Sequence, residues 1–384
     1  MSRHGSPTDL AIAVIANEPS GARIASEIIT AIRETTPRDV SVLAGGIGQH
    51  HSSADLSFDP PRTSSLSGVT QIVSSVAMAR RDLVSLSDQI IARRPNLLVT
   101  VDYPGMHLRL ARRVRAAGIR TLHIGSPQIW AWRAGRVRQV IQAVDDLIVL
   151  YPFEVDLYRP HGQSVHFFGH PIVDRFRADR TRRERVSAEI RGEDERTIVA
   201  WMPGSRPAEL RRHLAIVQAV AERTRTASYR HIVARGRNLE NRLFPDYSGL
   251  IEYVDDAPAL LEAADCAAVK IGTGTLEAAL IGTPFLAFYK ASAATAGIAR
   301  LLSKTSFYAM PNILANEPVV TEFMQEDCSA EKLGTEIGRL VEVSSRRTLQ
   351  QRLRATVDSL YRPDAIESMA SLIIASAESE SRYY

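Results

Sequence analysis

The sequence predicts an α/β protein made of two Rossmann-like domains in tandem. Three observations carry that prediction. At 384 residues the chain exceeds what one ordinary core supports. Short β-rich runs alternate with helical patterns, as the βαβ units of a twisted parallel sheet require. The strand, turn and helix that open the chain recur near residue 197, so the architecture repeats.

Leu10 to Ala16 reads as a strand, followed by a turn at Asn17-Glu18-Pro19-Ser20-Gly21. A helix is expected from about Ala22 to Glu34, with Ile24, Ile28, Ile29 and Ile32 at helical spacing. Val40 to Ala44 is a second strand, and Leu97 to Asp102 a buried parallel one. Leu108 to Ala117 is a helix stopped by Gly118; the strands Thr121 to Ile124, Val144 to Leu150 and Val165 to Phe168 continue the series. The charged stretch Arg175 to Arg196 is the expected domain boundary, giving a first domain over 1–175. Beyond it come the strand Thr197 to Met202, the loop Pro203-Gly204-Ser205-Arg206 and a helix from about Glu209. Later strands are His231 to Ala234, Cys266 to Val269 and Pro284 to Tyr289, and Ala330 to Ala377 is helical.

Composition is that of a soluble globular protein, 45% hydrophobic and 23% charged. It contains no apolar run of the length that spans a bilayer. Met1 to Leu10 holds Arg3, His4 and Asp9 and lacks the pattern of a signal peptide, so the chain is expected to stay in the cytoplasm. Cys266 and Cys328 lie far apart without metal-ligand spacing and read as reduced packing residues. Net charge is +4 but uneven: Arg109, Arg112, Arg113, Arg115, Arg120, Arg133, Arg136 and Arg138 fall in a stretch without a single acid. That implies an anionic partner such as phosphate or acidic lipid. Recognition motifs for nucleic acid are missing, so nucleic acid is not the expected partner.

Several segments could carry chemistry. The turn Gly272-Thr273-Gly274-Thr275 lies between a strand and a helix, where backbone N–H groups and the helix dipole suit a diphosphate; equally, any parallel sheet needs tight turns. Glu277, one turn on, could accept from a ribose diol or simply favour the helix N-terminus. Arg206 falls at the carboxyl end of a strand, where a guanidinium suits a leaving diphosphate, the alternative being a surface arginine. Asp102 ends a buried strand and either caps the next turn or acts as a general base. Trp130 and Trp132 lie beside Arg133 and Arg136, an arrangement fitting a membrane interface, a stacked ligand or a core corner. His170, before Pro171, belongs to a Phe168-Gly169-His170-Pro171 turn expected between the halves, where it packs or lines a cleft. No strand carries an Asp-x-Asp metal motif, and neither a metal nor a cofactor is expected.

Taken together, these motifs resemble the lipid-A-disaccharide synthases, inverting glycosyltransferases of the GT-B type. The likeness runs in order from Glu18 to Asp327. It includes Glu18-Pro19-Ser20-Gly21, Val101-Asp102-Tyr103-Pro104-Gly105 and Ser126-Pro127-Gln128-Ile129-Trp130-Ala131-Trp132-Arg133. It continues through Pro152-Phe153-Glu154, Phe168-Gly169-His170-Pro171, Pro203-Gly204-Ser205-Arg206 and Gly272-Thr273-Gly274-Thr275-Leu276-Glu277, and closes on Met310-Pro311-Asn312-Ile313-Leu314-Ala315 and Glu322-Phe323-Met324-Gln325-Glu326-Asp327. The tryptophan segment is the most specific of these.

The resemblance implies two domains facing a cleft, a UDP-sugar donor domain over 176–345, and C-terminal helices over 346–384 that return to the first domain. It implies transfer from UDP-2,3-diacylglucosamine to 2,3-diacylglucosamine 1-phosphate (lipid X), giving a β-1,6 disaccharide and UDP. Asp102 would be the base. Arg206, Asn312, Glu277 and the Gly272 to Thr275 turn would hold the donor. Trp130, Trp132, Arg133 and Arg136 would face acceptor and membrane. A peripheral protein at the cytoplasmic face of the inner membrane, and a homodimer, would follow. The chain departs from the family pattern at Ala22 (usually Asp), Lys270-Ile271 (usually Ala-Ser), Asn316-Glu317-Pro318 (usually Gly-Arg-Glu) and His107 (usually Asn). Those departures leave two other readings: a GT-B enzyme acting on another UDP-sugar, as an epimerase or with another acceptor, and a nucleotide-sugar-binding protein without catalysis.

Overall fold

The computed structural model describes residues 10–36, 40–45, 69–127, 137–204, 206–225, 228–236, 239–247, 249–291 and 305–379. The chain divides into two compact units, Met1–Pro171 together with Arg362–Tyr384, and Ile172–Tyr361.

The first unit holds β1 (Leu10–Ala16), β2 (Val40–Gly45), β3 (Leu97–Val101), β4 (Arg120–Ile124), β5 (Asp146–Ile148) and β6 (Ser164–His166). They form one sheet in the order β2-β1-β3-β4-β5-β6, parallel throughout. Alternate side chains of β1 bury opposite faces, as strand geometry demands. Ile12, Val14 and Ala16 pack with Ile24, Ile28 and Ile32 of the helix Pro19–Thr35 and with Met369 and Ile373 of the helix Ala365–Glu378. Ala13 and Ile15 pack on the other face with Leu86 and Ile90, and with Met106 and Leu110 of the helix Pro104–Ala116. The helix Val69–Arg93, which supplies Leu86 and Ile90, was not expected; the buried Ser87 interrupts its apolar stripe. Two helices begin earlier than expected, at Pro19 and Pro104. Proline's fixed φ and missing N–H suit the first helical turn, so both prolines start helices rather than sit in turns.

The second unit holds β7 (Thr197–Met202), β8 (Tyr229–Ala234), β9 (Ile251–Val254), β10 (Cys266–Lys270), β11 (Phe285–Tyr289) and β12 (Glu322–Met324). Their order is β12-β11-β10-β7-β8-β9, again all parallel. Trp201, Phe285 and Phe288 are fully buried in it. The Trp201 indole N–H donates to His231 Nδ1 at 3.0 Å, and His231 Nε2 then donates to the Thr224 hydroxyl at 2.9 Å. The edge strands β9 and β12 escaped the sequence reading, being only four and three residues long.

The charged stretch after Arg175 is not a linker. It forms the helices Ile172–Ala178 and Arg180–Arg191, both inside the second unit. Its charges are paired: Arg183, nearly buried, meets Glu262 at 2.7 Å, and Arg191 meets Asp265 at 2.9 Å. At the other end the chain returns to the first unit at Arg362 rather than 346. The helix Val343–Asp358 stays in the second unit, where Leu349, Leu353 and Val357 are buried. Only Ala365–Glu378 belongs to the first unit, and its Ser376 hydroxyl donates to Asp146 at 3.2 Å. Both cysteines are free and buried, and burial pushes the Cys266 thiol up to about 12. Among the described residues no helix is long and apolar enough to cross a membrane.

Each sheet grows first to one side and then to the other. The reversal falls between β1 and β3 in the first unit, and between β7 and β10 in the second. Loops leaving the carboxyl ends of such strands diverge and open a crevice, the usual ligand position in open α/β sheets.

Candidate active site

At the reversal of the first unit stands Asp102, directly after β3. Its backbone N–H donates to Ile124 O of β4 at 2.8 Å, and its φ of 55° lies in the left-handed region, as does the φ of 49° at Tyr103. Two such residues in succession cost of order 1–3 kcal/mol each, so the surroundings must hold them. The Asp102 carboxylate does part of this, accepting the Tyr103 N–H at 2.9 Å and the Ser20 hydroxyl at 3.3 Å. The first turn of the helix Pro19–Thr35 presses against it. A Cβ placed on Gly21 would come 3.1 Å from both Asp102 Cβ and Val101 O.

His107 supplies the rest of the support. Its Nδ1 donates to the Asp102 carbonyl at 2.6 Å, and its Nε2 lies 2.8 Å from the Asn17 side-chain amide at the end of β1. Burial pushes this imidazole down to about 4, against the pull of Asp102, so it is neutral and its Nε2 is an acceptor. Asn17 Oδ1 stands at that position, and exchanging the oxygen and nitrogen of this amide would turn its NH2 group, otherwise buried without a partner, onto Nε2. The strut Asn17–His107–Asp102 ties the ends of β1 and β3 together. Burial, aided by His107, also lowers His123, which bonds the Thr100 hydroxyl at 2.8 Å, to about 3. Tyr151 lies past β5, and burial with the Glu154 and Asp102 charges raises its hydroxyl above the usual range. His170 stands edge-on to Tyr151 with ring centres 5.5 Å apart.

A cavity of about 320 Å³ opens beside the start of the helix Pro104–Ala116, lined among others by Pro104, Leu108, Arg109, Arg112 and Gln139. The surrounding arginines divide. Arg113, Arg115 and Arg120 are taken by Asp88, Asp145 and Asp146, each at 2.9 Å. Arg109 and Arg112 are exposed and form no ion pair among the described residues. Trp130, Trp132, Arg133 and Arg136 lie outside the described residues.

At the reversal of the second unit the hub is Glu209, in the first turn of the helix Pro207–Arg223. Its Oε2 lies 3.1 Å from Lys270 Nζ, and its Oε1 accepts the Tyr289 hydroxyl at 3.0 Å and lies 3.6 Å from Arg206 Nη1. Burial works against the Glu209 charge, yet Lys270, Tyr289 and Arg206 together hold the carboxyl below its usual range. Arg206 reaches outward, its side chain 75% exposed. His213 Nδ1 donates to Pro203 O at 2.7 Å and its Nε2 accepts the Lys290 N–H at 3.3 Å, pinning the loop after β7 to the end of β11.

The turn after β10 leads into the helix Thr273–Ile281. Thr275 closes it, donating its hydroxyl to Gly272 O at 2.7 Å while its N–H reaches the same carbonyl at 3.0 Å. The Thr273 and Gly274 amides are thus left at the helix start, where an anion is favoured. Thr275 also accepts the Met310 N–H at 3.1 Å. Asn312 follows, and it is not an open ligand group. It is buried, its amide nitrogen donating to Val320 O and Glu322 Oε1 at 2.9 and 2.8 Å, its oxygen accepting the Val319 and Val320 N–H groups. Glu322 further accepts the Tyr308 and Ala309 N–H groups. The chain Thr275–Met310–Asn312–Glu322 braces the glycine turn from behind. Glu277, half-buried, lies one turn into the same helix.

The structure thus brings Arg206, Gly272, Thr273, Gly274, Thr275 and Glu277 into one unit and Asp102 into the other. The sequence reading missed Glu209, Tyr289, His213, Asn17 and Ser20 as partners. Only Glu209 had a local signal, three residues after Arg206 on a helix, where side chains meet.

Two six-stranded parallel sheets, each with its polar groups gathered at the reversal of strand order, define the GT-B class of architecture. Solved structures of that class superpose over nearly the whole chain. UDP-GlcNAc 2-epimerase from Neisseria meningitidis matches with a TM-score of 0.64 at 10% identity, covering 95% of this chain and 100% of that one. The glycosyltransferase SnogD from Streptomyces nogalater matches at 0.56 and 15% identity, covering 96% and 100%. Within the class, the chain belongs to the lipid-A-disaccharide synthetase family, whose model matches residues 12–375. Lipid-A-disaccharide synthase of Nitrosococcus oceani is 33% identical over 380 residues, covering 96% of this chain and 97% of its own. That of Trichlorobacter lovleyi is 30% identical over 375 residues, with the same coverage.

Proposed function

We infer that the chain is a lipid-A-disaccharide synthase, transferring diacylglucosamine from UDP to the 6-hydroxyl of 2,3-diacylglucosamine 1-phosphate. The observation that carries this is the division of chemistry between the two reversal points in a chain of that family. One holds a braced carboxylate, the other a cationic cluster beside an open helix N-terminus.

Asp102 removes the proton from the acceptor 6-hydroxyl as that oxygen attacks the anomeric carbon of the donor. The bond from the anomeric carbon to the diphosphate oxygen breaks in the same step, inverting the centre and releasing UDP. Arg206 and the Thr273 and Gly274 amides stabilise the charge that builds on the leaving diphosphate. Glu277 takes the nucleotide side, and Asn312 positions the turn from behind rather than touching the donor. Arg109 and Arg112, lining a cavity beside the helix that follows Asp102, suit the acceptor phosphate. A lipid acceptor brings the chain to the cytoplasmic face of the inner membrane as a peripheral protein, with Trp130, Trp132, Arg133 and Arg136 on the lipid side, and a homodimer is compatible with this arrangement.

Mass spectrometry of a mixture of UDP-2,3-diacylglucosamine, lipid X and protein should show the disaccharide 1-phosphate and UDP. UDP-sugar converted without acceptor would place the chain with the epimerases, and UDP binding without any product would mark a binding protein. Asp102→Asn should lower kcat by roughly 10²–10⁴-fold, the usual contribution of a general base. Unchanged turnover would remove Asp102 from the mechanism.

A further inference from the structure

Lys270 ends β10 and places a charge at the reversal point of the second unit. The side chain is 17% exposed and held on three sides. Nζ pairs with Glu209 at 3.1 Å and lies 5.3 Å from the centre of the Tyr289 ring. The stem fills the space over Gly204, whose φ of 99° and missing side chain let it pass; a Cβ there would stand 3.2 Å from Lys270 Cδ. The ammonium therefore sits between the loop after β7, which bears Arg206, and the turn at Gly272, where a Cβ would meet Nζ at 3.9 Å.

The charges do not cancel. Glu209 is a single carboxylate facing both Lys270 and Arg206, so the cluster carries one net positive charge. A carboxylate that anchors two cations without neutralising both is the arrangement that presents them to a further anion.

We propose that Lys270 is a second diphosphate-binding cation of the donor site, oriented by Glu209 and acting beside Arg206. This rests on the donor reading given above. The ammonium keeps one contact to Glu209 and turns its other N–H groups to the phosphates, a division open to the three donors of lysine. As the sugar–phosphate bond breaks and UDP gains negative charge, the contact strengthens, so Lys270 acts on kcat as well as on affinity.

The test is calorimetric titration of the full chain with UDP, UMP and uridine, together with the salt dependence of UDP binding. Lys270→Met keeps the stem over Gly204 and removes the charge. It should weaken UDP roughly ten- to hundredfold, weaken UMP less and leave uridine unchanged, with a shallower salt dependence. Lys270→Arg should restore most of the affinity. Because Lys270→Met leaves Glu209 short of a partner, the double variant Lys270→Met with Glu209→Gln serves as a control that removes both charges, and it should remain weak for UDP while melting like the unsubstituted chain. If the unsubstituted chain binds UDP and Lys270→Met binds it equally well, the proposal is overturned and the donor reading stands. An equal loss for UDP and uridine overturns it as well, by showing a merely structural role. If the unsubstituted chain does not bind UDP, the donor reading itself falls and the proposal with it.

Discussion

At the scale of single residues, the candidate site depends on groups that orient one another. Asp102 stood out in the sequence because an acid at the end of an apolar run is conspicuous. Its partners did not, since Ser20 reaches it, and Asn17 reaches His107 behind it, only after β1 and β3 have paired and a helix has started at Pro19. Asn312 illustrates the opposite case. Its motif was legible, but its burial and four hydrogen bonds make it a brace. The tight fit at Gly21 gives a prediction at this scale. Gly21→Ala places a methyl 3.1 Å from Asp102 Cβ and Val101 O, so the carboxylate must shift. Since a misplacement of about 1 Å can cost 10²-fold and the shift forced here is a few tenths of that, steady-state kinetics should show kcat reduced roughly three- to tenfold. A variant with normal kcat would show that Asp102 tolerates displacement.

At the scale of elements, strands buried on both faces were read nearly to the residue, as with β1 and β7, because continuous apolar runs identify them. Helix starts were read late wherever proline opened them. The short edge strands carried too few residues to show a period. The run of arginines after Arg109 looked unpaired because its acids, Asp88, Asp145 and Asp146, stand outside it in sequence and beside it in space. The helix Ala365–Glu378 yields the prediction here. Met369, Ala370, Ile373 and Ala377 are buried against the first sheet's helix Pro19–Thr35 and strands. Ile373→Ala should therefore cost about 2–5 kcal/mol in denaturant-induced unfolding, the range for emptying a packed core position. A loss below about 1 kcal/mol would mean that the helix adds little to the core.

For the whole molecule, buried neutral histidines set the response to acid. Burial lowers His107 and His231 to about 4, and burial with His107 lowers His123 to about 3, from an ordinary value near 6.5. Between those values the unfolded chain binds protons that the folded chain refuses. Stability contributed by neutral burial is therefore complete above about 6.5 and is lost as pH falls toward 4 and below. Since His107 and His123 belong to one unit and His231 to the other, both should weaken together. Urea midpoints should fall from pH 7.5 to pH 5, and His107→Asn, keeping a polar side chain at that position, should flatten the trend. A midpoint independent of pH across that window would contradict the assignment of these rings as neutral.

The return of the last helix to the first sheet also sets an order of assembly. A ribosome releases the strands of the first unit early, yet part of the lid over their apolar face is encoded after the whole of the second unit. The second unit, continuous in sequence, can close while the chain is still being made. The first waits with one face incomplete until Ala365–Glu378 emerges. A nascent chain can therefore hold a folded second unit before the core of its first unit is complete.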